Sequence, residues 1–305
     1  MRKFSDDIND NEIRIIGQKK KKKRLMSASL QVLVIAVVFL VLVVAILLYL
    51  YKNKTVHPEY GVFEPASNAQ FNPHPLCKWI ADADTVTTPG TYIKDTVVND
   101  IPIKIYLPLN AKPTLEIGQK CLTDENVILA FQAADIRADN YKIVGAFVLK
   151  GKPVAWGLSK KGYCAILRDS VFVGRADNSP LFEEATECEG YFFRQYPLVS
   201  NGEVQHSELK SQAIRRALCD VENRIVVVET QTNASMNDFS QLLADIGVDN
   251  AIYLIGSSES FYSITDLHGN RQVRNTFPTE GPYPNPSKAS LKYINFIYWT
   301  ASQSH

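Results

Sequence analysis

The sequence predicts an α+β domain with a mixed β-sheet core and flanking helices, preceded by a single transmembrane helix. Three observations lead to this prediction. A long uncharged segment lies near the N-terminus, short apolar segments separated by turn residues dominate the middle of the chain, and a strand–helix–strand pattern follows. Of the 305 residues, 46% are hydrophobic and 21% are charged, which excludes a wholly disordered chain.

The uncharged segment is residues 25–51, and within it residues 32–50 are an unbroken apolar run. A helix of that length spans roughly 28 Å, which matches the hydrocarbon thickness of a bilayer. Residues 1–24 carry a net charge of +5 and the rest of the chain −4. Because the basic run 19–24 adjoins the apolar segment, the positive-inside rule predicts an uncleaved signal anchor with a cytoplasmic N-terminus.

These features predict a single-pass protein of the plasma or inner membrane whose C-terminal part is periplasmic or extracellular. A basic run can also bind nucleic acid, but beside an apolar span it favours a role in membrane topology, so no nucleic-acid partner is expected. Residues 1–24 are the predicted cytoplasmic tail, 25–51 the anchor, 52–75 a stalk that contains Pro and Asn, and 76–300 one extracytoplasmic domain.

Five cysteines and five histidines are scattered along the chain without the spacing of a zinc site, so neither a metal nor another cofactor is expected. The odd number of cysteines leaves at least one thiol free or intermolecular. Cys164 and Cys219 lie inside apolar runs, which predicts that both are buried in strands.

Strand signals dominate the first half of the domain. Some segments alternate apolar and polar residues with a period of two, and others are short apolar runs bounded by turn residues. The predicted strands lie within 102–107, 126–131, 143–149, 164–167 and 170–173. Further along, a turn at 266–270 separates two strands, and the apolar stretch 291–299 returns to the sheet.

A strand–helix–strand unit is predicted in the second half, from a strand at 224–229 to a strand at 251–255. Ser235 and Asp238 form a capping box that opens a helix, and Gly247 ends it. A crossover helix between two strands predicts that the strands are adjacent and parallel. Ligands of such units lie at the carboxyl ends of the strands, so the loop 255–260 is the first candidate site.

The order of these motifs resembles the phosphodiester glycosidase family, which hydrolyses glycosyl phosphodiesters. Four segments of the chain are similar to the family's signatures, and the resemblance spans about 127–298. They are Ala130-Phe131-Gln132-Ala133-Ala134-Asp135, Gln195-Tyr196-Pro197-Leu198-Val199, Arg215-Arg216-Ala217-Leu218-Cys219, and Leu254-Ile255-Gly256-Ser257-Ser258-Glu259.

The resemblance implies a set of residues that bind substrate or phosphate. They are Gln132, Gln195, Arg215, Gly256, Ser257 and Ser258. The chain departs from the family at Ile255, where the family has an Asp, and Ile cannot act as a general acid or base. Glu259 and Asp135 are the nearest acids that could replace it. No catalytic residue is therefore assigned.

Two function classes remain open at this point. One is a hydrolase that acts on glycosyl-phosphate linkages of envelope or extracellular glycans. The other is a catalytically silent relative that binds a glycan, a sugar phosphate or a protein partner. The retained order of the motifs favours the first class, and the missing acid favours the second. The oligomeric state does not follow from the sequence.

Overall fold

The computed structural model describes residues 37, 40, 42–44, 74–137, 139–256, 260–275 and 292–302. The chain divides into two compact units, Met1–Gln70 and Phe71–His305. In the first unit the described residues are helical. The predicted cytoplasmic tail, and the predicted stalk up to residue 73, lie outside the described residues.

The predicted transmembrane helix is a point of correction. Within the described part of the chain, no helix combines the length and the apolar character that crossing a membrane requires. The predicted segment 25–51 lies outside the described residues except at 37, 40 and 42–44.

The second unit is built from seventeen described strands and three α-helices. The strands are β1 (Gly90–Val98), β2 (Ile101–Leu109), β3 (Ala111–Ile117), β4 (Val127–Gln132), β5 (Phe147–Leu149), β6 (Lys152–Ala155), β7 (Gly162–Leu167), β8 (Ser170–Arg175), β9 (Tyr191–Gln195), β10 (Pro197–Ser200), β11 (Glu203–Val204), β12 (Arg216–Val221), β13 (Arg224–Thr230), β14 (Asn250–Leu254), β15 (Tyr262–Thr265), β16 (Arg271–Arg274) and β17 (Asn295–Ala301). The helices are α1 (Pro75–Ala81), α2 (Leu181–Glu187) and α3 (Met236–Asp245), and a short 3-10 helix covers Lys120–Leu122.

The strands form three sheets. Sheet 1 has the order β1-β2-β13-β12-β14-β10-β11, sheet 2 the order β16-β15-β4-β17-β3, and sheet 3 the order β6-β5-β9-β7-β8. All pairings between these strands are antiparallel. The predicted α+β class with a mixed sheet is therefore wrong, because the described part of the second unit is mostly antiparallel β-sheet.

The error has an identifiable cause in the strand–helix–strand unit. β13 and β14 are not neighbours, because β12 lies between them and pairs antiparallel with both. The two strands thus run in the same direction without sharing a hydrogen bond. Cys219 is predicted to lie in a strand, but the sequence does not place that strand between those at 224–229 and 251–255, so the crossover pattern implies an adjacent parallel pair. Periodicity indicates where strands lie but not which strands pair.

Several individual elements are confirmed. The predicted strands in 102–107, 126–131, 164–167, 170–173, 224–229 and 251–255 correspond to β2, β4, β7, β8, β13 and β14. The turn at 266–270 joins β15 to β16, and the stretch 291–299 returns to sheet 2 as β17. Of the predicted strand 143–149, only β5 forms. Cys164 and Cys219 are buried, and all five thiols are free.

Helix α3 covers one face of sheet 1. The Ser235 hydroxyl accepts a hydrogen bond from the Asp238 amide at 3.0 Å, so the predicted cap is confirmed. Gly247, just beyond the helix, has a φ of +90°, which glycine adopts without strain. The buried side chains of α3 pack with Leu76 and Ile80 of α1 against the sheet.

The opposite face of sheet 1 is covered by the other two sheets. In β2, Ile103 and Ile105 pack under the helices, whereas Tyr106 points to the other side because successive side chains of a strand alternate. Tyr106 joins a second core with Phe131 of sheet 2 and Phe193 of sheet 3. The candidate site lies where β4, β12, β13 and β15 meet beside this second core.

Replacing Leu242 by Ala should lower the free energy of unfolding by about 2 to 5 kcal/mol, because the side chain is fully buried between α3 and sheet 1. Gln241→Ala is the matched control, since Gln241 lies exposed on the same helix and should change stability by less than about 0.5 kcal/mol. Denaturant unfolding measures both. Equal effects of the two substitutions would contradict the packing described for α3.

Candidate functional site

The loop 255–260 is held at both of its ends by Gln132, the last residue of β4. The Ile255 amide donates to the Gln132 carbonyl at 3.2 Å, and the Phe261 amide donates to the Gln132 Oε1 atom at 2.9 Å. Two segments that the family resemblance singles out thus meet in the fold. Ser257, Ser258 and Glu259 lie outside the described residues, so the structure does not place them.

Gly256 packs against the first residue of β12. A Cβ atom at this position would lie 2.8 Å from the Arg216 backbone nitrogen, which is too close for any other residue without a shift of the backbone. The Tyr253 hydroxyl lies 3.2 Å from the Gly256 carbonyl oxygen. These contacts explain why residue 256 is a glycine, because the backbone of the loop lies very close to the backbone at the start of β12.

Arg216 makes the strongest polar contacts of this region. Its Nη1 donates to the Ile255 carbonyl at 2.6 Å and to the Ser260 hydroxyl at 3.2 Å, and its Nε donates to Glu229 Oε2 at 2.6 Å. Nη2 also bonds Glu229. The side chains are only 3% and 14% exposed, so this is a buried ion pair that also fixes the start of the loop.

The register of sheet 1 places these charges in one row. Four charged residues lie opposite one another on neighbouring strands, namely Asp95 on β1, Lys104 on β2, Glu229 on β13 and Arg216 on β12. Residues opposite each other on neighbouring strands share a face, and opposite charges in such pairs are attractive. Lys104 is 3.3 Å from Asp95, whose side chain is largely exposed. The row thus alternates acid and base from the sheet edge to the buried Arg216.

A polar cavity of about 240 Å³ opens over this row. Sheet 1 contributes Lys104, Tyr106, Arg216, Glu229 and Thr230, the adjoining loops contribute Ile214 and Gln231, and sheet 2 contributes Phe131, Tyr262, Ile264, Gln272 and Arg274. The lining contains three basic side chains and one acidic side chain. The cavity is therefore suited to a small anion or to the charged end of a larger ligand.

Aromatic rings form one wall of the cavity. The Arg216 guanidinium lies 4.1 Å from the centroid of the Phe131 ring, and the Tyr106 ring meets Phe131 edge to face at 5.3 Å. The Arg274 guanidinium lies 5.3 Å from the Tyr262 ring. The guanidinium groups of both arginines thus lie against aromatic rings of the cavity wall.

Tyr106 supports the carboxylate of Glu229. Its hydroxyl donates to Glu229 Oε1 at 3.3 Å. Burial raises the pKa of Tyr106 well above its ordinary value, and the neighbouring Glu229 raises that pKa further. The phenol therefore stays protonated and remains a donor at physiological pH. Both oxygens of Glu229 are thus engaged, one with Tyr106 and the other with Arg216.

Arg215 lies outside this cavity lining, although the resemblance implies that it contacts phosphate. Its Nε donates to the Ala234 carbonyl at 3.0 Å, and its Nη2 bonds the carbonyl and the hydroxyl of Ser211. The Arg215 amide donates to the Thr230 hydroxyl at 2.9 Å. The described hydrogen bonds of Arg215 therefore connect the residue just before β12 to the segment that precedes α3.

Asp135 and Gln195 come together in a second polar cluster, with Lys160. The Gln195 Nε2 donates to Asp135 Oδ1 at 3.2 Å, while the Lys160 ammonium bonds Asp135 and donates to Gln195 Oε1 at 3.1 Å. Burial lowers the pKa of Lys160 to about 8. These two predicted site residues are neighbours, but neither lines the cavity at Arg216.

The sequence does not predict several residues of the cavity as site residues, namely Lys104, Tyr106, Arg216, Glu229 and Arg274. The sequence offers a signal for one pair, because Asn223 is a residue type that tolerates the positive φ of a two-residue hairpin turn. In the structure Glu222 and Asn223 both have positive φ. A hairpin centred on that turn places Arg216 directly opposite Glu229. The contribution of β15 and β16 has no comparable signal, because these strands belong to another sheet.

Comparisons with known proteins give limited information. No protein-family model matches the chain, and no curated protein matches it. Among solved structures, it is similar to the zebrafish N-acetylglucosamine-1-phosphodiester alpha-N-acetylglucosaminidase catalytic domain, auto-inhibited by its pro-peptide, with 14% identity and a TM-score of 0.46 over 71% of this chain and 83% of that one. It is also similar to a hypothetical protein from Synechocystis, with 11% identity and a TM-score of 0.48 over 70% of this chain and 62% of that one. Both likenesses are distant and concern the fold alone.

Replacing Arg216 by Gln should lower the free energy of unfolding by about 3 to 5 kcal/mol, because Glu229 would keep a buried charge without its partner. Chemical denaturation with the double variant Arg216→Gln, Glu229→Gln measures the coupling, and the double variant should recover part of the loss. The exposed pair Lys112–Asp169 is the control, and Lys112→Gln should cost less than about 1 kcal/mol. A loss at Arg216 no larger than that of the control would show that the pair is not buried in solution.

Proposed function

We propose that the cavity over Arg216 binds a glycosyl phosphate and does not hydrolyse it. The excess of basic over acidic side chains in the lining supports this proposal most directly. Lys104 and Arg274 face the cavity from two different sheets, so a phosphate between them would interact with positive charge on both sides. The partner of this domain is then a small anionic saccharide.

The remaining lining suits the sugar part of such a ligand. Tyr262, Gln272 and Gln231 offer hydroxyl and amide groups that can donate to or accept from sugar hydroxyls. The cavity of about 240 Å³ lies below the range of about 300 to 1,000 Å³ typical of drug-sized ligands. We therefore propose that one sugar unit and its phosphate fill it.

The number and the partners of the carboxylates near the cavity support binding without hydrolysis. Cleavage of a glycosidic bond ordinarily uses two carboxyl groups, one on each side of the scissile bond. In the described lining, Glu229 is the one carboxylate, and Arg216 and Tyr106 already occupy its oxygens. Ile255 stands at the position where the resembling family has an acid. Asp135 bonds Lys160 and Gln195 in the separate cluster.

Arg274→Gln should weaken the binding of glucose 1-phosphate by about 1.5 to 3 kcal/mol, the range for a hydrogen bond to a charged group. Calorimetric titration of the full-length chain measures this, with glucose and inorganic phosphate as reference ligands. Arg271→Gln is the matched control, because Arg271 lies on the same strand, outside the lining, and donates to the Leu122 carbonyl. It removes the same charge and should leave the affinity within a factor of about two.

Two results would overturn the proposal. Equal losses in the two variants would mean that general electrostatic attraction, and not the cavity, binds the ligand. Release of free sugar from a glycosyl phosphodiester by the unmodified chain at an enzymatic rate would replace binding by hydrolysis. The variant Glu229→Gln would then show whether the carboxylate in the cavity carries the reaction.

A further inference from the structure

A second and larger cavity, of about 500 Å³, lies on another part of the second unit. We name it the Trp156 cavity. Its lining is Arg137, Asn140, Lys142, Ile143, Val144, Gly145, Val154, Ala155, Trp156, Ser159 and Tyr293, and it shares no residue with the lining of the cavity over Arg216. None of these residues takes part in the function proposed above.

Trp156 is the most unusual residue of this cavity, because 72% of its surface is exposed. Val154 and Leu158, two residues before and after Trp156, are also exposed. A single exposed apolar side chain is ordinary, but an indole beside a cavity presents a large flat apolar face to solvent. That face is available for stacking against a flat ligand.

The wall that carries Trp156 is rigid. The Gly157 carbonyl accepts a hydrogen bond from the Ala146 amide at 3.0 Å. Gly145 has a φ of +83°, and a Cβ there would lie 3.0 Å from the Arg194 side chain and 3.2 Å from the Ser159 carbonyl, so the two segments are in close contact. Trp156 is therefore exposed on a fixed segment.

Buried Arg194 holds the end of this wall. Its guanidinium donates to the carbonyls of Lys160, Ala176 and Asp177 at 3.0 to 3.2 Å, and the side chain is almost fully buried. These bonds connect the segment after Trp156 to the end of β8. A pre-formed wall lowers the entropy cost of binding, since little of it must become ordered.

The opposite wall supplies polar groups and positive charge. Asn140 belongs to the lining, and its Oδ1 accepts a hydrogen bond from the Lys142 amide at 3.0 Å. Arg137 is paired with Asp139 through two hydrogen bonds of 2.9 and 3.0 Å. Among the described residues, no carboxylate forms an ion pair with Lys142. The lining itself contains two basic side chains and no acidic one.

We propose that the Trp156 cavity binds an acidic saccharide, a sugar chain that carries carboxylate groups such as a uronic acid. A pyranose ring presents a flat face of C–H groups that stacks on an indole. Asn140 and Ser159 then bind ring hydroxyls, and Lys142 binds the carboxylate. A cavity that combines two aromatic side chains, Trp156 and Tyr293, with several polar groups fits a saccharide better than the surface of a protein partner, which has a continuous hydrophobic centre.

Intrinsic fluorescence tests the proposal, because Trp156 is the most exposed of the three tryptophans. Titration of the full-length chain with tetragalacturonic acid should quench the emission or shift it to the blue. Trp156→Ala should weaken binding, followed by calorimetry, at least about tenfold. Leu158→Ala is the matched control, because Leu158 is 67% exposed on the same segment but does not line the cavity, and it should leave the affinity unchanged.

A set of related ligands distinguishes recognition of the sugar ring from recognition of the negative charge. Lys142→Gln should weaken tetragalacturonic acid about tenfold and leave neutral maltotetraose unaffected. Poly-L-glutamate carries carboxylates without sugar rings, and it should not change the Trp156 signal. Equal binding of poly-L-glutamate, equal binding of maltotetraose, or no response to tetragalacturonic acid at millimolar concentration would each overturn the proposal. Arg274→Gln should have no effect here, so the two proposals fail or succeed separately.

Discussion

The ion pair between Arg216 and Glu229 is the interaction on which the candidate site depends. Two charges that are taken out of water are stable only when every polar atom around them has a partner. Here the Tyr106 hydroxyl and the Ile255 carbonyl supply such partners. The pair therefore ties two neighbouring strands of sheet 1 to the loop that leads into sheet 2. A change in any of these groups alters the start of that loop as well as the charge balance of the cavity.

The same pair also affects the charge of the cavity. Arg216 is paired with Glu229 and bonds the Ile255 carbonyl, and the other basic side chains of the lining are Lys104, which is paired with Asp95, and Arg274. Lys104 belongs to sheet 1 and Arg274 to sheet 2, so the anion site that we propose requires that the two sheets pack together. Folding and ligand binding are coupled in such a site, because a ligand that contacts both sheets stabilises their packing.

The two cavities for which ligands are proposed lie in different parts of the second unit. The first opens where sheets 1 and 2 meet over the row of charges, and the second opens beside the fixed segment that follows β6. Each combines aromatic faces with basic side chains, and the described linings hold a single carboxylate between them. The ligands that we propose for the two cavities are therefore of related chemistry, since both are anionic saccharides.

The sequence by itself determined the local structure of many elements. Period-two alternation located β2, the apolar runs located β4 and β13, and the Ser235 cap located the start of α3, because these signals act between residues close in the chain. The motif order also identified Gln132 and the loop 255–260, which are joined by hydrogen bonds in the structure. Only the tertiary structure decided that β12 separates β13 from β14, that Arg216 and not Arg215 lines the cavity, and that sheet 2 completes it. Strand partners and the side to which a side chain points depend on register across distant segments, and a one-residue shift reverses them.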